Sequence, residues 1–472
     1  NINEASQVEI TETAKDEIIK TPSSIDRTIE PPAGREPEVN VPEIWNATLS
    51  NGIKVYGIQN KELPLVSINI TIDGGVNQDK LELPGVASMV ASVLPQGTKN
   101  RTPEELEEET KLLGSDIRMY AASEEMRINA GTLSRNFEKT ISLIKEILLE
   151  PRWDSTEFVM AQTRTKNSII QSEAQPRSIA YLTFDKLLYG KDNIMGYDAK
   201  GTRESIDKIK MDDLKSYYEN NFSPSVTKIH IAGNVSKEQA LAALRPLETE
   251  WKAREVTLNK YPVPPAPEKS QIYFVDVPGS RQSVIYIGYP ALSRENPDWV
   301  LADFANYRLG GAFSSILMQI LREEKGFTYG ARSTFDEMKT IAPFIAYTSV
   351  RSDATFESVK IFRDEMEKYR NGISENDLQF IKNCMIRSNA LRFETNLALA
   401  EMLSTISKYG FPDDYVKKEE NIIKNITIDE HKAIVEKYID PDRMYFVIVG
   451  DAATQMKQLE KIGFGKPVLI KL

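Results

Sequence analysis

The sequence predicts an α+β protein with two homologous domains in tandem, each a mostly antiparallel sheet backed by helices. Three observations indicate this fold class. The chain resembles itself at a period of about 200 residues, each copy opens with apolar strands followed by helical patterns, and a proline-rich segment separates the copies. At 472 residues the chain is long enough for two or three domains with substantial cores.

The internal repeat is most direct in two segments, 211–234 and 428–451, which align without gaps. Each reads as a capped helix, a proline turn, an apolar strand and a glycine. The matched pairs are Asp212/Asp429, Lys215/Lys432, Glu219/Glu436, Pro224/Pro441 and Gly233/Gly450. Upstream, Glu157-Phe158 matches Asp377-Leu378, where each pair opens a long helical pattern. Two copies of this size favour duplicated domains over a repeat array.

Apolar segments at the start of each copy predict its first strands. They cover 53–58 and 66–72 in the first copy, and 271–275 and 283–287 in the second. Their close spacing favours hairpin-like pairs. Helices follow, and the first begins at a capping box, Thr102-Pro103-Glu104-Glu105, and ends at Gly114.

Composition shifts along the chain predict the domain limits. We expect a first domain at 43–252, a linker at 253–270 that contains a stiff proline-rich run at 261–267, and a second domain at 271–472. Residues 1–42 are polar and lack periodicity, so we predict an extended arm or a linker between two halves of a longer protein. Because the chain begins at Asn1 and not at Met, we expect a processed or internal start.

Composition and charge exclude several classes of function. The net charge is −10 and no basic cluster occurs, which argues against nucleic acid as a partner. No apolar run reaches the roughly 18 residues of a membrane span. The single cysteine, Cys384, rules out an intramolecular disulfide framework.

The segment 84–98, Pro-Gly-Val-Ala-Ser-Met-Val-Ala-Ser-Val-Leu-Pro-Gln-Gly-Thr, resembles the active-site helix of the pitrilysin/insulinase (M16) zinc peptidases. Active members read much like P-G-x-A-H-x-x-E-H-x-L-x-x-G-T. The residues of this chain that match the pattern are Pro84, Gly85, Ala87, Leu94, Gly97 and Thr98. The resemblance implies that Ser88 and Ser92 stand where two zinc-binding histidines would be, and that Ala91 replaces the glutamate that activates water.

The sequence lacks a set of zinc ligands, and this can be seen without reference to the family. A catalytic zinc needs about three protein ligands from His, Cys and carboxylates. The chain has only two histidines, His230 and His431, and no H-x-x-x-H pair. The family's third ligand would fall near Asn167-Ser168, in a stretch without an acid. We therefore predict no metal site and no cofactor in this chain.

A second motif, 309–329, is close to the family's second-domain signature, L-G-G-x-x-S-S-x-L-x-x-x-x-R-x-x-x-G-x-x-Y. Locally it predicts a helix with Phe313, Leu317, Ile320 and Leu321 in one apolar stripe, then a strand that carries Tyr329. The resemblance implies that Arg322 and Tyr329 contact the substrate backbone and stabilise the tetrahedral intermediate. The local pattern alone favours structural roles, because Arg suits the last turn of a helix and Tyr suits strands.

The remaining candidates are weaker. A serine nucleophile at Ser88 or Ser92 needs an adjacent base, and none is near in sequence. We expect His230, in an apolar strand, to be an edge or core residue with its hydrogen bonds satisfied. We expect His431 to be solvated near the start of a helix, and Cys384 to be a small core residue. The acidic run 104–109 reads as a solvated helix face.

The resemblance implies a non-catalytic subunit, or C-terminal half, of a bipartite M16 metallopeptidase. Such a half would complete a peptide-binding chamber and supply Arg322 and Tyr329 to a partner half that carries H-x-x-E-H and the zinc. The expected partners are that half and a peptide, with a homodimer open for the isolated chain, and the expected location is periplasmic or secreted. The alternative is a peptidase-like scaffold or peptide-binding protein without catalysis.

Overall fold

Two six-stranded sheets organise the chain. The computed structural model describes residues 25, 26, 29, 34, 41–263 and 265–471, so the predicted arm at 1–42 lies almost entirely outside the described residues. The described residues between 41 and 471 belong to one compact unit.

The first sheet has the strand order β1-β2-β6-β3-β5-β4. Every neighbouring pair is antiparallel except β2 and β6, which are parallel. The strands are β1 (Ile44–Thr48), β2 (Lys54–Gln59), β3 (Leu65–Asp73), β4 (Asp116–Ala121), β5 (Glu125–Leu133) and β6 (Thr227–Gly233).

The second sheet has the order β12-β7-β11-β8-β10-β9, with β7 parallel to both β11 and β12. Five of its strands repeat the arrangement of the first sheet, and the sheets differ at one edge, where β1 is antiparallel and β12 parallel to its neighbour. The strands are β7 (Gln271–Asp276), β8 (Gln282–Leu292), β9 (Ala331–Phe335), β10 (Ala342–Arg351), β11 (Tyr445–Gly450) and β12 (Val468–Ile470).

Helices back each sheet. The first half contains α1 (Val86–Val93), α2 (Pro103–Leu112), α3 (Phe137–Leu149), α4 (Ser155–Glu173), α5 (Pro176–Tyr189), α6 (Arg203–Lys208), α7 (Met211–Asn221) and α8 (Lys237–Glu250). The second half contains α9 (Trp299–Asn306), α10 (Ile316–Met318), α11 (Thr355–Tyr369), α12 (Glu375–Leu391), α13 (Asn396–Tyr409), α14 (Tyr415–Asn425), α15 (Ile428–Tyr438) and α16 (Ala452–Gln455). Two π-helical segments, Tyr307–Gly311 and Gln319–Glu324, continue α9 and α10.

The repeated segments of the sequence fold alike, which confirms the prediction of an α+β fold with two tandem copies. The segment 211–234 contains α7 and β6, and 428–451 contains α15 and β11. The predicted capping box is also present, because the Thr102 side chain accepts from the Glu105 amide while the Glu105 carboxylate accepts from the Thr102 amide. The predicted domain limits themselves stay a prediction.

The predicted hairpin-like pairing of the opening strands is wrong. In the first sheet β6 lies between β2 and β3, and in the second β11 lies between β7 and β8. Strands β6 and β11 are buried along nearly their whole length, and Ile229 and Ile231 of β6 are inaccessible to solvent. A strand that is apolar on both faces is stabilised most at the centre of a sheet, where both faces are covered. Strands β6 and β11 take this position, and each therefore separates the two strands that were predicted to pair.

The halves are joined by an exchange of helices. Helix α5 of the first half packs on the second sheet, where Phe184 and Leu188 meet Tyr286 and Val447. Helix α13 of the second half packs on the first sheet, where Leu403 meets Ala232. Because burial of one large apolar side chain contributes roughly 1.5–3 kcal/mol, this exchange holds the two sheets in a fixed relation.

Both histidines are buried. His230 on β6 conforms to the prediction, since its Nδ1 lies 3.0 Å from the Asn69 carbonyl oxygen. The prediction for His431 is wrong. It is inaccessible to solvent, and its Nε2 lies 3.1 Å from the Tyr369 hydroxyl. Cys384, predicted in the core, is half-buried because the outer face of α12 meets solvent.

Candidate functional site

Helix α1, which carries the first motif, is held at its N-terminus by a buried carboxylate. Asp79 accepts hydrogen bonds from the amides of Gly85 at 2.7 Å and Ala87 at 2.8 Å. Burial raises the pKa of Asp79 to about 7, against the opposing effect of these amides. Gly85 begins the helix in the left-handed region at φ 103°, where a side chain would meet the Lys200 carbonyl oxygen.

The two serine side chains of the motif donate hydrogen bonds to backbone carbonyl groups. The Ser88 hydroxyl donates to the Ala199 carbonyl at 2.6 Å, and the Ser92 hydroxyl donates to the Ser88 carbonyl one turn earlier at 2.9 Å. Ala91 is 5% exposed. A hydroxyl that donates to a carbonyl has no base to take its proton, so the helix offers hydrogen-bond acceptors and no activated nucleophile.

An ammonium group lies against α4 at the position where the resemblance places the third ligand. The Lys200 Nζ donates to the Ser168 hydroxyl at 3.3 Å and to the Ser172 hydroxyl at 3.0 Å. It lies 3.8 Å from the Asp198 carboxylate. Asn167, the other residue at this position, is exposed. A fixed positive charge here disfavours a second cation.

Among residues 41–263 and 265–471, no group of three or more His, Cys, Asp or Glu side chains could hold a metal ion. A cavity of about 910 Å³ runs beside α1, bounded by Ala91, Ser92, Ile117 of β4 and Arg164 of α4. The cavity is large enough for a peptide segment of a few residues. Its wall on the α1 side presents hydroxyl, methyl and amide groups.

Arg322 lies in the π-helical segment Gln319–Glu324. Its guanidinium stacks over the Phe313 ring at 4.8 Å, and its Nε lies 3.3 Å from the Glu323 carboxylate. Phe313 is 66% exposed, so the prediction that it joins the buried stripe of Leu317 and Leu321 is wrong. It precedes the N-cap Ser315 of the short helix α10, so its side chain leaves the buried face.

Tyr329 is 95% exposed. It lies in a bend before β9 and not on the strand, which begins at Ala331, so its predicted place on a strand is wrong. The bend follows Gly326, whose positive φ of 61° turns the chain out of the helix. Within the part of the chain that the structure describes, no group lies within hydrogen-bonding distance of the Tyr329 hydroxyl.

Among the described residues, the contacts of the two motifs lie in different halves of the chain. The ion pair and ring contact of Arg322 are both made within 313–323, in the second half. The contacts of Ser88 and Ser92 are with α1 and the segment at Ala199, in the first half. Sequence reasoning missed Lys200, because the loop 198–201 carries no pattern that ties it to α4.

The fold, with a first helix that presents Ser88, Ala91 and Ser92, defines a two-domain protein built like a zinc peptidase. Residues 54–188 match the family profile "Insulinase (Peptidase family M16)", and residues 208–385 match "Peptidase M16 inactive domain". The two profiles together span more than half of the chain. The chain belongs to peptidase family M16.

Relatives of known sequence and structure agree with this assignment. A Helicobacter pylori protein described as "Non-peptidase homolog YmxG" is 23% identical over 401 residues, 83% of this chain and 90% of that protein. A solved "peptidase M16 inactive domain" from Pseudomonas fluorescens has a TM-score of 0.81 at 23% identity and covers 87% of this chain and 99% of its own. A solved Helicobacter pylori protease has a TM-score of 0.78 at 16% identity, with 87% and 100% covered. These structures establish the fold.

Within the described residues, no helix has the length and apolar character needed to cross a membrane. The extracytoplasmic location stays a prediction.

Proposed function

We propose that the chain is the non-catalytic half or subunit of a bipartite M16 zinc metallopeptidase. It encloses the peptide and supplies Arg322 and Tyr329 to the active site of a partner half that holds the zinc on its own H-x-x-E-H helix. The observation that carries this proposal is the exposure of Tyr329, 95% of whose surface meets solvent while no described residue bonds its hydroxyl.

A tyrosine that contributes little to the fold is available to another molecule. Exposed single tyrosines are common, so exposure alone does not define a site. Phe313 is also 66% exposed, and its ring lies 4.8 Å from the Arg322 guanidinium and supports it from one face. The ring restricts the guanidinium to a plane and leaves several N–H donors free to point outward.

The chemistry of the pair suits peptide hydrolysis in a partner. When water attacks a peptide carbonyl, negative charge grows on the carbonyl oxygen. A guanidinium and a phenol that donate to this oxygen stabilise the transition state more than the ground state. The zinc and the water-activating glutamate would come from the partner, since Ser88, Ala91 and Ser92 supply neither.

A second function, a peptidase-like scaffold or peptide-binding protein without any catalytic role, is favoured by one observation. The Helicobacter pylori relative that shares 23% identity is described as a non-peptidase homolog. A scaffold needs neither Arg322 nor Tyr329, so the effect of substituting these two residues on activity distinguishes the two functions.

The test is co-expression of this chain with an M16 half from the same genome that carries H-x-x-E-H. We expect the pair to co-purify and to cleave a fluorogenic peptide at least tenfold faster than the partner half alone. A partner whose H-x-x-E-H glutamate is changed to Gln is the control and should be inactive. Equal activity with and without this chain would contradict the proposal and favour the scaffold.

A further inference from the structure

The Lys200 ammonium and the two hydroxyls beside it on α4 have donors that the fold does not use. The ammonium donates to the Ser168 hydroxyl at 3.3 Å and to the Ser172 hydroxyl at 3.0 Å. Because an ammonium group only donates, both hydroxyls accept from it and keep their own protons for other oxygens. Within the part of the chain that the structure describes, neither of these hydroxyls donates to an acceptor.

The third N–H of the ammonium also lacks an acceptor among the described residues. The Asp198 carboxylate lies 3.8 Å from the Lys200 Nζ, beyond hydrogen-bonding distance. This carboxylate is engaged in the turn, because its other oxygen accepts from the Lys200 backbone amide at 2.9 Å. Three donors, one of them charged, are therefore available to oxygen atoms of another molecule.

The three donors can be reached from solvent and are held in place. The Lys200 side chain is 36% exposed, and Ser168 and Ser172 are half-buried. The turn that carries Lys200 is closed by a hydrogen bond from the Gly201 amide to the Asp198 carbonyl at 2.7 Å. A donor set that is already ordered loses little conformational entropy when a ligand binds.

The cluster of Lys200, Ser168 and Ser172 lies close to one end of the cavity beside α1. Ser92 and Arg164 border that cavity. Ser88 lies one turn before Ser92 on α1, and Ser168 lies one turn after Arg164 on α4, so each is about 6 Å further along its helix. This distance corresponds to about two residues of extended chain. A peptide segment in the cavity can therefore reach the ammonium.

A carboxylate suits this donor set better than other groups of a peptide. It offers two acceptor oxygens and a charge opposite to that of the ammonium. A basic side chain would be repelled, and an apolar side chain would leave the three donors without partners. The Asp198 carboxylate opposes a second anion, but at 3.8 Å it receives none of the three donated hydrogen bonds.

We propose that Lys200, Ser168 and Ser172 bind the carboxylate of a peptide that occupies the cavity beside α1. The carboxylate belongs to the C-terminus of the peptide or to an acidic side chain, and the chemistry of recognition is the same for both. The site does not depend on the proposed partner half, because all of its groups belong to this chain.

The test is isothermal titration of the isolated chain with acetyl-Ala-Gln-Ala-Ala, which has a free C-terminus, and with its C-terminal amide. We expect the free acid to bind roughly fivefold more tightly or better, since only it supplies a charged acceptor. A third peptide, acetyl-Ala-Glu-Ala-Ala-amide, identifies the source of the carboxylate. Binding like that of the free acid would assign the site to acidic side chains as well, and binding like that of the amide would assign it to C-termini.

Three variants assign the preference to the cluster. Lys200→Met should make the free acid and the amide bind equally. Lys166→Met is the matched control and should keep the preference, because Lys166 is also on α4, is 40% exposed and donates to both Asp207 oxygens. Asp198→Asn should tighten binding of the free acid about twofold or more, since a like charge is removed while the amide oxygen still accepts from the Lys200 backbone. Misfolding does not imitate a gain in affinity.

Equal affinity for all three peptides, or no binding of any of them at millimolar concentration, would overturn the proposal. A preference for the free acid that survives in Lys200→Met would also overturn it, because the carboxylate would then bind elsewhere. These outcomes would leave the proposed role of Arg322 and Tyr329 untouched, since that role is measured as activity in the assembled pair.

Discussion

The His230 Nε2 lies 2.6 Å from the Ser407 hydroxyl, and this contact joins the centre of the first sheet to α13 of the second half. The same imidazole reaches the Asn69 carbonyl oxygen through its Nδ1. Burial is the main cause that lowers the pKa of His230 to about 3, and the cations of Lys228 and Arg127 add to it. The imidazole is therefore neutral in the folded protein at any physiological pH.

Folding stability should fall as the pH decreases from about 6.5 toward 3, because the unfolded chain then binds a proton that folded His230 rejects. The loss approaches about 1.4 kcal/mol per pH unit for one such histidine, or roughly 2 kcal/mol between pH 6.5 and 4.5. Urea unfolding across this range measures it. His230→Gln should reduce the slope.

His431 makes a second contribution to the pH dependence of stability. Burial lowers its pKa to about 4, so it contributes a slope of the same sign. His431→Gln should remove part of the slope and His230→Gln a further part, and the double variant should remove both. A wild-type slope that survives in the double variant would show that other groups cause the pH dependence.

The contrast between the two histidines shows what the sequence could predict. His230 stands in a short apolar run, which gave its burial correctly. His431 shares a helix face with Ile434, Val435 and Tyr438 at helical spacing, and all are buried. That periodic signal is present in the sequence, and it predicts burial more reliably than a position near the start of a helix predicts exposure.

The parts that sequence could not predict depend on contacts between distant segments. The tandem copies were predictable because helix, turn and strand recur in the same order. No local sequence pattern indicates that α5 and α13 pack on the sheet of the opposite half, or that β6 lies between β2 and β3. At the site, the motif predicted the place of Ser88 and Ser92 on a helix, but the Lys200 ammonium beside Ser168 comes from a loop with no pattern.

Gly85 should be indispensable for the placement of α1. A Cβ there would lie 2.6 Å from the Lys200 carbonyl oxygen, and φ is 103°. We expect Gly85→Ala to lower the free energy of unfolding by about 2–4 kcal/mol, since both strain and a backbone clash arise. Gly190, at φ 76° with nothing within 4 Å of an added Cβ, is the matched control and should cost about 1 kcal/mol. Equal losses in denaturant unfolding would show that the clash is relieved by local movement.

The isolated chain should retain no stoichiometric zinc and cleave no peptide. The helix presents Ser88, Ala91 and Ser92, and an ammonium lies beside Ser168, so the donors that zinc prefers are missing there. Metal analysis after dialysis against a mild chelator should find well under one zinc per chain. One tightly held zinc, retained by the wild type and lost on Ser88→Ala, would refute this expectation.

If the proposed peptidase assembles, Tyr329→Phe should lower its kcat by about 10²–10³, because one donor to the growing oxyanion would be lost. Arg322→Lys should also be poor, since an ammonium does not reproduce the planar fork. Thermal unfolding should be nearly unchanged, because Tyr329 is 95% exposed. The matched control is Tyr273→Phe on β7, which should retain full activity. Full activity of the Tyr329 and Arg322 variants, or loss only through unfolding, would return both residues to structural roles.

Asp303→Asn should stabilise the chain at neutral pH. The pKa of Asp303 in the folded protein is about 6, above its ordinary value of 3.8, so the folded state disfavours the ionised form. The resulting destabilisation is absent below pH 3.8, grows between pH 3.8 and 6, and is complete above pH 6. The amide avoids it, and we expect a gain of about 1–3 kcal/mol at pH 7.5 that disappears near pH 4.

Urea unfolding of the wild type and of Asp303→Asn at both pH values measures this gain, with Asp353→Asn expected to change stability by less than about 0.5 kcal/mol. If Asp303→Asn were instead the less stable protein at pH 7.5, the Asp303 carboxylate would act as a structural partner of Arg392, which lies close enough to lower its pKa.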